Sequence, residues 1–511
     1  MPIIDKEHQV HFRLTRFSLT MIAAIISGCA VTTEPLDLAQ SQQRAQSDLS
    51  LMFKGQEPVT APITLHEAMA RALKYNLEGR LKVQEEALAQ KQLNLTSFDM
   101  LPKLAMDAGY VSRSNTSASS SQSIESGQQS LEPSTSLDNN RRVGDLTMVW
   151  NVLDFGVSYV TAQQQADQGW IAQERRRKVI HTIIQDVRSA YWRAVAAERL
   201  LGRIDGLLGK VNMAREASQG MTQQQVGDPI AVLSYQRALL EATRQLEEQH
   251  RALSLAKTEL ASLMNLPLNT DYQLAMPDES AMAIPELKVD LARLEETALV
   301  SRPELREQDY QARISAAETR KAMLRMLPGL EFSVGGHYDS NSFLVNQSWA
   351  DAGMKVTWNL FNVLSGPAAQ ETAEAGQVVA ETRRQAMSMA ILAQLYVAKA
   401  NFNEAARQYQ TSSQLQQLDS QIAEQLQNRF KTGGIGELEV IQSELNALSA
   451  SLRRDLAYAE LRNAYGQLFA TVGLDPLAKP LASGSLIGVS QALQQSEQEW
   501  DQGKIVALQA Q

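Results

Sequence analysis

The chain has 511 residues, of which 44 % are hydrophobic, 21 % charged and 6 % aromatic, with a formal net charge of −9. Its length could fill several domains, but the negative balance offers no basic surface to neutralise phosphates, which excludes nucleic-acid binding as its task. A single cysteine, Cys29, excludes an internal disulfide.

Residues 1–28 have the layout of a targeting segment. Lys6, Arg13 and Arg16 precede an apolar run from Phe17 to Ile26 that is too short for a convincing transmembrane span. The run ends in Ile26-Ser27-Gly28-Cys29. Small residues before a cysteine resemble the bacterial lipobox, and the resemblance implies cleavage before Cys29 and acylation of that residue. Removing one net positive charge with residues 1–28 would take the charge from −9 to −10. The plainer alternative is an ordinary thiol beyond a simple signal peptide. Ala30 stands where an Asp would mark inner-membrane retention, so the outer membrane is implied. Residues 29–61 are polar and Gln-rich and predict an irregular tether. No later run reaches 18 apolar residues, so no transmembrane helix is expected.

The first repeating unit is expected over residues 62–270. Thr64, with Glu67 three residues on, reads as a capping box. The helix that it starts breaks near Tyr75-Asn76-Leu77 and stops at Leu101-Pro102. Apolar residues then alternate over 104–111 (Leu104, Met106, Ala108, Tyr110) and over 145–151 (Leu146, Met148, Trp150), and both stretches predict strands. The Ser-rich stretch between them cannot bury a core. Past Asp154-Phe155-Gly156 the period changes. Ile180, Ile184, Val187, Tyr191, Ala194, Leu201, Ile204, Leu208 and Val211 follow a repeat of about 3.5, the spacing of a left-handed supercoiled seam. A helix from Val157 to Met221 would be about 98 Å long. At Gly227-Asp228-Pro229 the chain turns back, with Asp228 as N-cap. The returning helix ends at Asn265-Leu266-Pro267.

After a linker over 271–293, a second unit over 294–478 repeats this order. Leu327-Pro328 stands 226 residues beyond Leu101-Pro102 (328 − 102). Strands are expected near 330–338 and 353–359, where Trp358-Asn359 stands 208 residues beyond Trp150-Asn151 (358 − 150). The shorter separation reflects a shorter loop between the second pair of strands. A second long helix runs to about Phe430, turns at Thr432-Gly433-Gly434-Ile435-Gly436 and returns to Leu474-Asp475-Pro476. The tail, 479–511, carries one weak helical patch near 489–500.

Each unit supplies one hairpin, which is marginal by itself, and open strand edges are forbidden in a membrane because their amides find no water. Four strands cannot close around a bore, but three protomers bring twelve, which can. Met148, Trp150, Phe332, Val334, Met354, Val356 and Trp358 would then face lipid, with Asp107, Thr147, Lys355 and Thr357 on a wet lumen. The competing reading is a soluble domain in which two half-buried hairpins pack on helices.

These features together resemble the outer-membrane efflux proteins, the TolC-like trimeric channel-tunnels. The resemblance rests on two units of helix–strand–strand–long helix–helix, on Leu-Pro before each first strand and on Trp-Asn with Asp154-Phe155-Gly156 entering the helix. Arg302-Pro303-Glu304-Leu305 adds a phrase common in the second repeat. It implies a mainly α fold with a small transmembrane β part, completed as a homotrimer with a 12-stranded barrel and an α-helical periplasmic tunnel. It also implies an outer-membrane conduit of a tripartite efflux or type I secretion system, with a periplasmic adaptor and an inner-membrane pump or ABC transporter as partners. No cofactor, metal or catalysis is implied.

The family's second tip commonly reads Arg-Tyr-x-x-Gly followed by an acid, and Arg429-Phe430-Lys431-Thr432-Gly433 with Glu439 matches it. Phe430 lacks the phenol hydroxyl of the family's Tyr, and Ile435 and Gln442 replace an Arg and a second acid. By resemblance Arg429, Phe430 and Glu439 would line the periplasmic entrance, with adaptor docking at Gly227, Asp228, Pro229, Gly433, Gly434 and Gly436. Glu439 equally fits an ordinary helix-start carboxylate favoured by the dipole.

Two other classes compete. An enzyme finds little support, because His8, His11, His66, His181, His250 and His337 are scattered and form no metal or catalytic motif. A periplasmic coiled-coil adaptor or structural lipoprotein would carry one helical hairpin inside β-rich segments, where this chain has two hairpins.

Overall fold

The structure is a computed structural model that describes residues 35–130, 132–223, 228–276, 282–477 and 484–504, the side chains of 221–223 excepted. The expected signal segment, Cys29 and Gly227 lie outside these residues. The chain forms two units, residues 1–56 and 57–511. In the first, Leu38–Met52 is a helix, α1, with no buried residue. This corrects the expectation of an irregular tether throughout 29–61. The stretch lacks Pro and Gly and is rich in Leu, Ala and Gln, which favour helix even without packing.

The second unit is mainly helical with one small sheet, and it runs through the same order of elements twice. Helices α2 (Leu65–Tyr75) and α3 (Leu77–Ser97) lead to strands β1 (Lys103–Ser112) and β2 (Asn140–Asn151). The long helix α4 (Val152–Gln223) follows, and α5 (Pro229–Ser254) and α6 (Ala256–Leu263) return. Then come α7 (Leu291–Ser301), α8 (Pro303–Leu324), β3 (Gly329–Asp339), β4 (Ser348–Thr357), α9 (Leu360–Lys431) and α10 (Glu437–Val472). A last helix, α11 (Leu486–Asp501), closes the described chain. Both α4 and α9 have 72 residues, or about 108 Å at 1.5 Å per residue.

Local chemistry sets the boundaries. Asn151 at the end of β2 and Asn359 just past β4 each turn a side-chain oxygen back to cap the long helix that follows, Asn151 to the Leu153 amide at 3.0 Å and Asn359 to the Phe361 amide at 3.1 Å. The helix break in each unit is tied to the end of that unit's last helix. Asn76 caps α3 through the Glu78 and Gly79 amides and donates to the Leu263 carbonyl at 3.1 Å. Arg302 donates to the Thr471 carbonyl at 2.9 Å. Gly473, at φ +79°, lies so close to Arg302 that a Cβ there would meet its backbone at 2.8 Å.

The sheet is an antiparallel meander in the order β1–β2–β3–β4, leaving β1 and β4 as its edges. Beneath it, α4 packs between α3 and α8, and α9 packs on α8; farther along, α4 packs between α5 and α10, and α9 packs on α10. The α4 seam is a real core, since Ile184, Val187, Tyr191, Ala194, Ile204 and Val211 are all buried. A second core gathers residues of α7, α9 and α10, among them Leu294, Leu395 and Leu461.

Charge fastens α4 to its neighbours. Four successive cations point around the helix: Arg175 to Glu307 at 2.7 Å, Arg176 to Glu86 at 2.7 Å, Arg177 to Asp475 at 3.0 Å and Lys178 toward Glu304 at 3.6 Å. Their targets lie on α8, on α3 and beyond α10.

Helix α11 is clamped by a buried ionic cluster. Glu497 meets His66 at 2.6 Å, Arg462 at 2.8 Å and Arg188 at 3.8 Å. Arg188 crosses Gly466, where a Cβ would sit 1.3 Å from its guanidinium. Burial alone would raise the Glu497 pKa, but the His66 hydrogen bond and the Arg188 and Arg462 charges outweigh it and hold the carboxyl down at about 2. Gly466→Ala should therefore displace Arg188 and cost about 2 kcal/mol by overpacking, read as a lowered thermal midpoint. The Glu497 contribution is present above the unfolded value of 4.5 and is lost as pH falls through about 2. Protease sensitivity of α11 should rise across that window, and Glu497→Gln should abolish the pH dependence of the cleavage.

Candidate functional site

The expected site residues gather at two places, the sheet and the far ends of the long helices. At the second tip α9 closes in a Schellman turn. The Gly434 amide donates to the Arg429 carbonyl at 3.0 Å and the Gly433 amide to the Phe430 carbonyl at 2.9 Å. Gly433 has φ +75°, a conformation that a Cβ would strain. Gly436 precedes α10, whose first turn carries Glu437 and Glu439. Arg429, Phe430 and Glu439 are exposed. No hydrogen bond or ion pair joins the Arg429 and Glu439 side chains among the described residues. At the first tip, Asp228 accepts from the Ile230 amide at 3.1 Å and Pro229 occupies the first turn of α5.

The sheet register puts Leu104, Met148, Val334 and Ala352 in one line across the four strands, and Trp150, Phe332 and Met354 in another. All these residues share one face. That face is the open one: Met148 is 42 % exposed, Val334 50 %, Met354 69 % and Met106 80 %. Its polar counterpart carries Asp107, Arg141, Asp145, Thr147, Glu331, His337, Asp339, Asp351, Lys355 and Thr357, and on the central strands these are the partly covered positions. This is the reverse of a water-soluble sheet, whose apolar face is the covered one. Trp150 leans on Phe155 and Phe332, with ring centroids 6.0 and 6.4 Å away.

Trp358, expected as a lipid-facing strand residue, lies one residue beyond β4. The ladder ends at the pair Gly329–Thr357, and the next position opposite Trp358 is Pro328, which has no backbone N–H to continue it. The Trp358 indole N–H donates to the Met326 carbonyl at 3.0 Å instead.

All four described histidines are engaged by carboxylates: His66 by Glu497, His181 by Asp475, His250 by Asp205 and His337 by Asp145. Among the described residues no group of three or more His, Cys, Asp or Glu side chains could hold a metal ion. No described helix is long and apolar enough to cross a membrane. The cationic run Arg175–Lys178 had a sequence signal, four successive basic residues inside a heptad pattern, but it serves packing and forms no site.

A four-stranded meander carried on two paired long helices is the fold of the outer-membrane efflux channels. Solved structures with this fold include the outer-membrane channel CmeC of Campylobacter jejuni, with a TM-score of 0.64 and 14 % identity over 87 % of this chain and 94 % of that one. CusC aligns at a TM-score of 0.62 and 16 % identity over 83 % and 96 % of the two chains. The open state of the MtrE channel of Neisseria gonorrhoeae aligns at 0.60 and 19 % identity over 79 % and 89 %. No protein-family model and no curated protein matches the sequence. At these identities the likeness is one of fold.

Proposed function

We propose that this chain is the subunit of a homotrimeric outer-membrane channel-tunnel, a passive conduit from periplasm to exterior in an efflux or type I secretion system. One observation carries the reading: a sheet with two unpaired edges whose apolar face is open and whose charged face is, on the central strands, the partly covered one. Such a sheet suits a bilayer only if the edges meet other edges, and three copies bring twelve strands into a closed ring. The helices support the same closure. One flank presents β1, α3 and α5, with Leu81, Leu88, Leu95, Ile230 and Leu233 exposed, while the other presents β4 and α9, with Phe361, Leu364, Val378 and Met389 exposed. Different surfaces on the two flanks give a head-to-tail interface, which a rotation of one third of a turn closes into a ring.

In this reading the helices wall a periplasmic tunnel, and the tips at Asp228-Pro229 and Gly433–Gly436 meet an adaptor that links the channel to an inner-membrane pump or ABC transporter. Arg429, Phe430 and Glu439 line the entrance, where three Glu439 carboxylates would attract cations. Acylated Cys29 would anchor the chain to the inner leaflet of the outer membrane. The sequence of events is opening at the tips, passage along the lumen and release through the barrel, with no covalent chemistry.

The protein should be recovered from outer-membrane fractions as a detergent-stable trimer; a folded, soluble monomer after Cys29→Ser would overturn the reading. Inserting bulky charged residues between Gly433 and Gly434 should abolish export at normal trimer yield, and unchanged export would remove adaptor docking from that tip.

A further inference from the structure

On the polar face of the sheet one imidazole sits among carboxylates from three other strands. His337 on β3 lies directly opposite Asp145 on β2, which in turn lies opposite Asp107 on β1. Its Nδ1 is 2.5 Å from Asp145 and its Nε2 is 3.1 Å from Asp351 on β4. The ring stacks on Trp349 of β4, with centroids 5.3 Å apart. Gly335 makes the room, since a Cβ there would lie 2.6 Å from Nε2. Of the other charges on this face, Arg141 and Asp339 satisfy each other at 2.7 Å, Glu331 stands opposite Lys355 nearer the helices, and Lys103 stands on β1 opposite Val149, four residues from Asp107. Asp107, Asp145 and Asp351 have no Arg or Lys partner among the described residues. Among those residues His337 is the cationic group that contacts Asp145 and Asp351.

We infer that His337 sets the charge of the barrel bore, and with it the channel's preference for cationic over anionic solutes, as a function of pH. The inference rests on the channel reading, in which this face lines the lumen. Protonated, the imidazolium offsets one of three carboxylates; neutral, it leaves all three uncompensated, and a trimer repeats the effect three times around the axis. The cation preference therefore rises as pH climbs through the histidine range. A fixed ring of charge acts over about 10 Å at 0.1 M salt and about 3 Å at 1 M. The selectivity consequently belongs to dilute salt and fades in concentrated salt. Solutes that gain from the charged row are cations, such as protonated amines or hydrated metal ions.

The test is the reversal potential of the purified full-length trimer in a planar bilayer under a dilute KCl gradient, at about pH 5 and about pH 8. The wild type should show a K⁺/Cl⁻ permeability ratio roughly two-fold higher at the upper pH. His337→Gln should remove the change and hold the upper value. His337→Lys should also remove it and hold the lower value. Each variant is first shown to reach the wild-type trimer yield. A pH response that persists unchanged in both variants overturns the inference and leaves the channel reading intact. Folded trimers with no conductance overturn the channel reading and the inference together.

Discussion

Along Lys103–Ser112 and Ser348–Thr357, one side of the backbone has no partner strand within the protomer. In water such edges solvate; in hydrocarbon each unpaired amide or carbonyl costs several kcal/mol. The side chains on these strands decide which solvent the sheet must suit, because they turn Leu104, Met106, Met354 and Val356 outward. A sheet with those side chains and those edges needs further strands before it can sit in a bilayer. The flanks of the helical layer carry the same exposed apolar residues, so in the channel reading closure of the sheet and closure of the wall would be one requirement at two heights.

Within residues 57–511 the two repeats are held by ties that do not depend on closure. Asn76 and Arg302, at equivalent breaks, bind the last carbonyls of α6 and α10 and so fix where each returning helix ends. The cations Arg175 to Lys178 reach in three directions from α4, with Arg175 and Lys178, one turn apart, both meeting α8. Glu497, His66, Arg188 and Arg462 then fasten α11 across both units. The pairs made by the exposed Arg175 and Lys178 are worth little individually. The Glu497 cluster is different, because breaking it would strand charge in the interior.

Much of the fold can be read from the chain because its periods are clean: two in the strands, near 3.5 on α4, and Leu-Pro or Asn at the junctions. The errors fall where a local role overrides the period. Trp358 continues the alternation, but the position opposite it is Pro328, which has no N–H to offer, so the ladder stops first. β2 begins at Asn140, earlier than expected, because Arg141, Arg142 and Gly144 hide the alternation although the backbone pairs regularly with β1. Residues 38–52 looked irregular for want of an apolar stripe, yet propensity alone makes them helical. In the sequence His337 is one of six scattered histidines with no motif around it. Only the register, which sets it against Asp145 and within reach of Asp351, gives it a role, and register between strands nearly two hundred residues apart leaves no trace in spacing. The roles of the tip residues rest on resemblance, and the turn itself follows from Gly433 at φ +75°.

The two long helices have the same number of residues, 72 each, although the loops between their preceding strands differ in length. In a closed wall, removing one heptad from α4 alone would raise its tip by about 10 Å relative to that of α9. The rim would become scalloped, with alternate hairpins falling short of whatever seats against it. Changes in wall length are therefore tolerable only when made in both helices at once and in whole heptads, which keep the seam in phase. In such a wall the repeat of the unit would let length drift only in paired steps, while the surface loops vary freely.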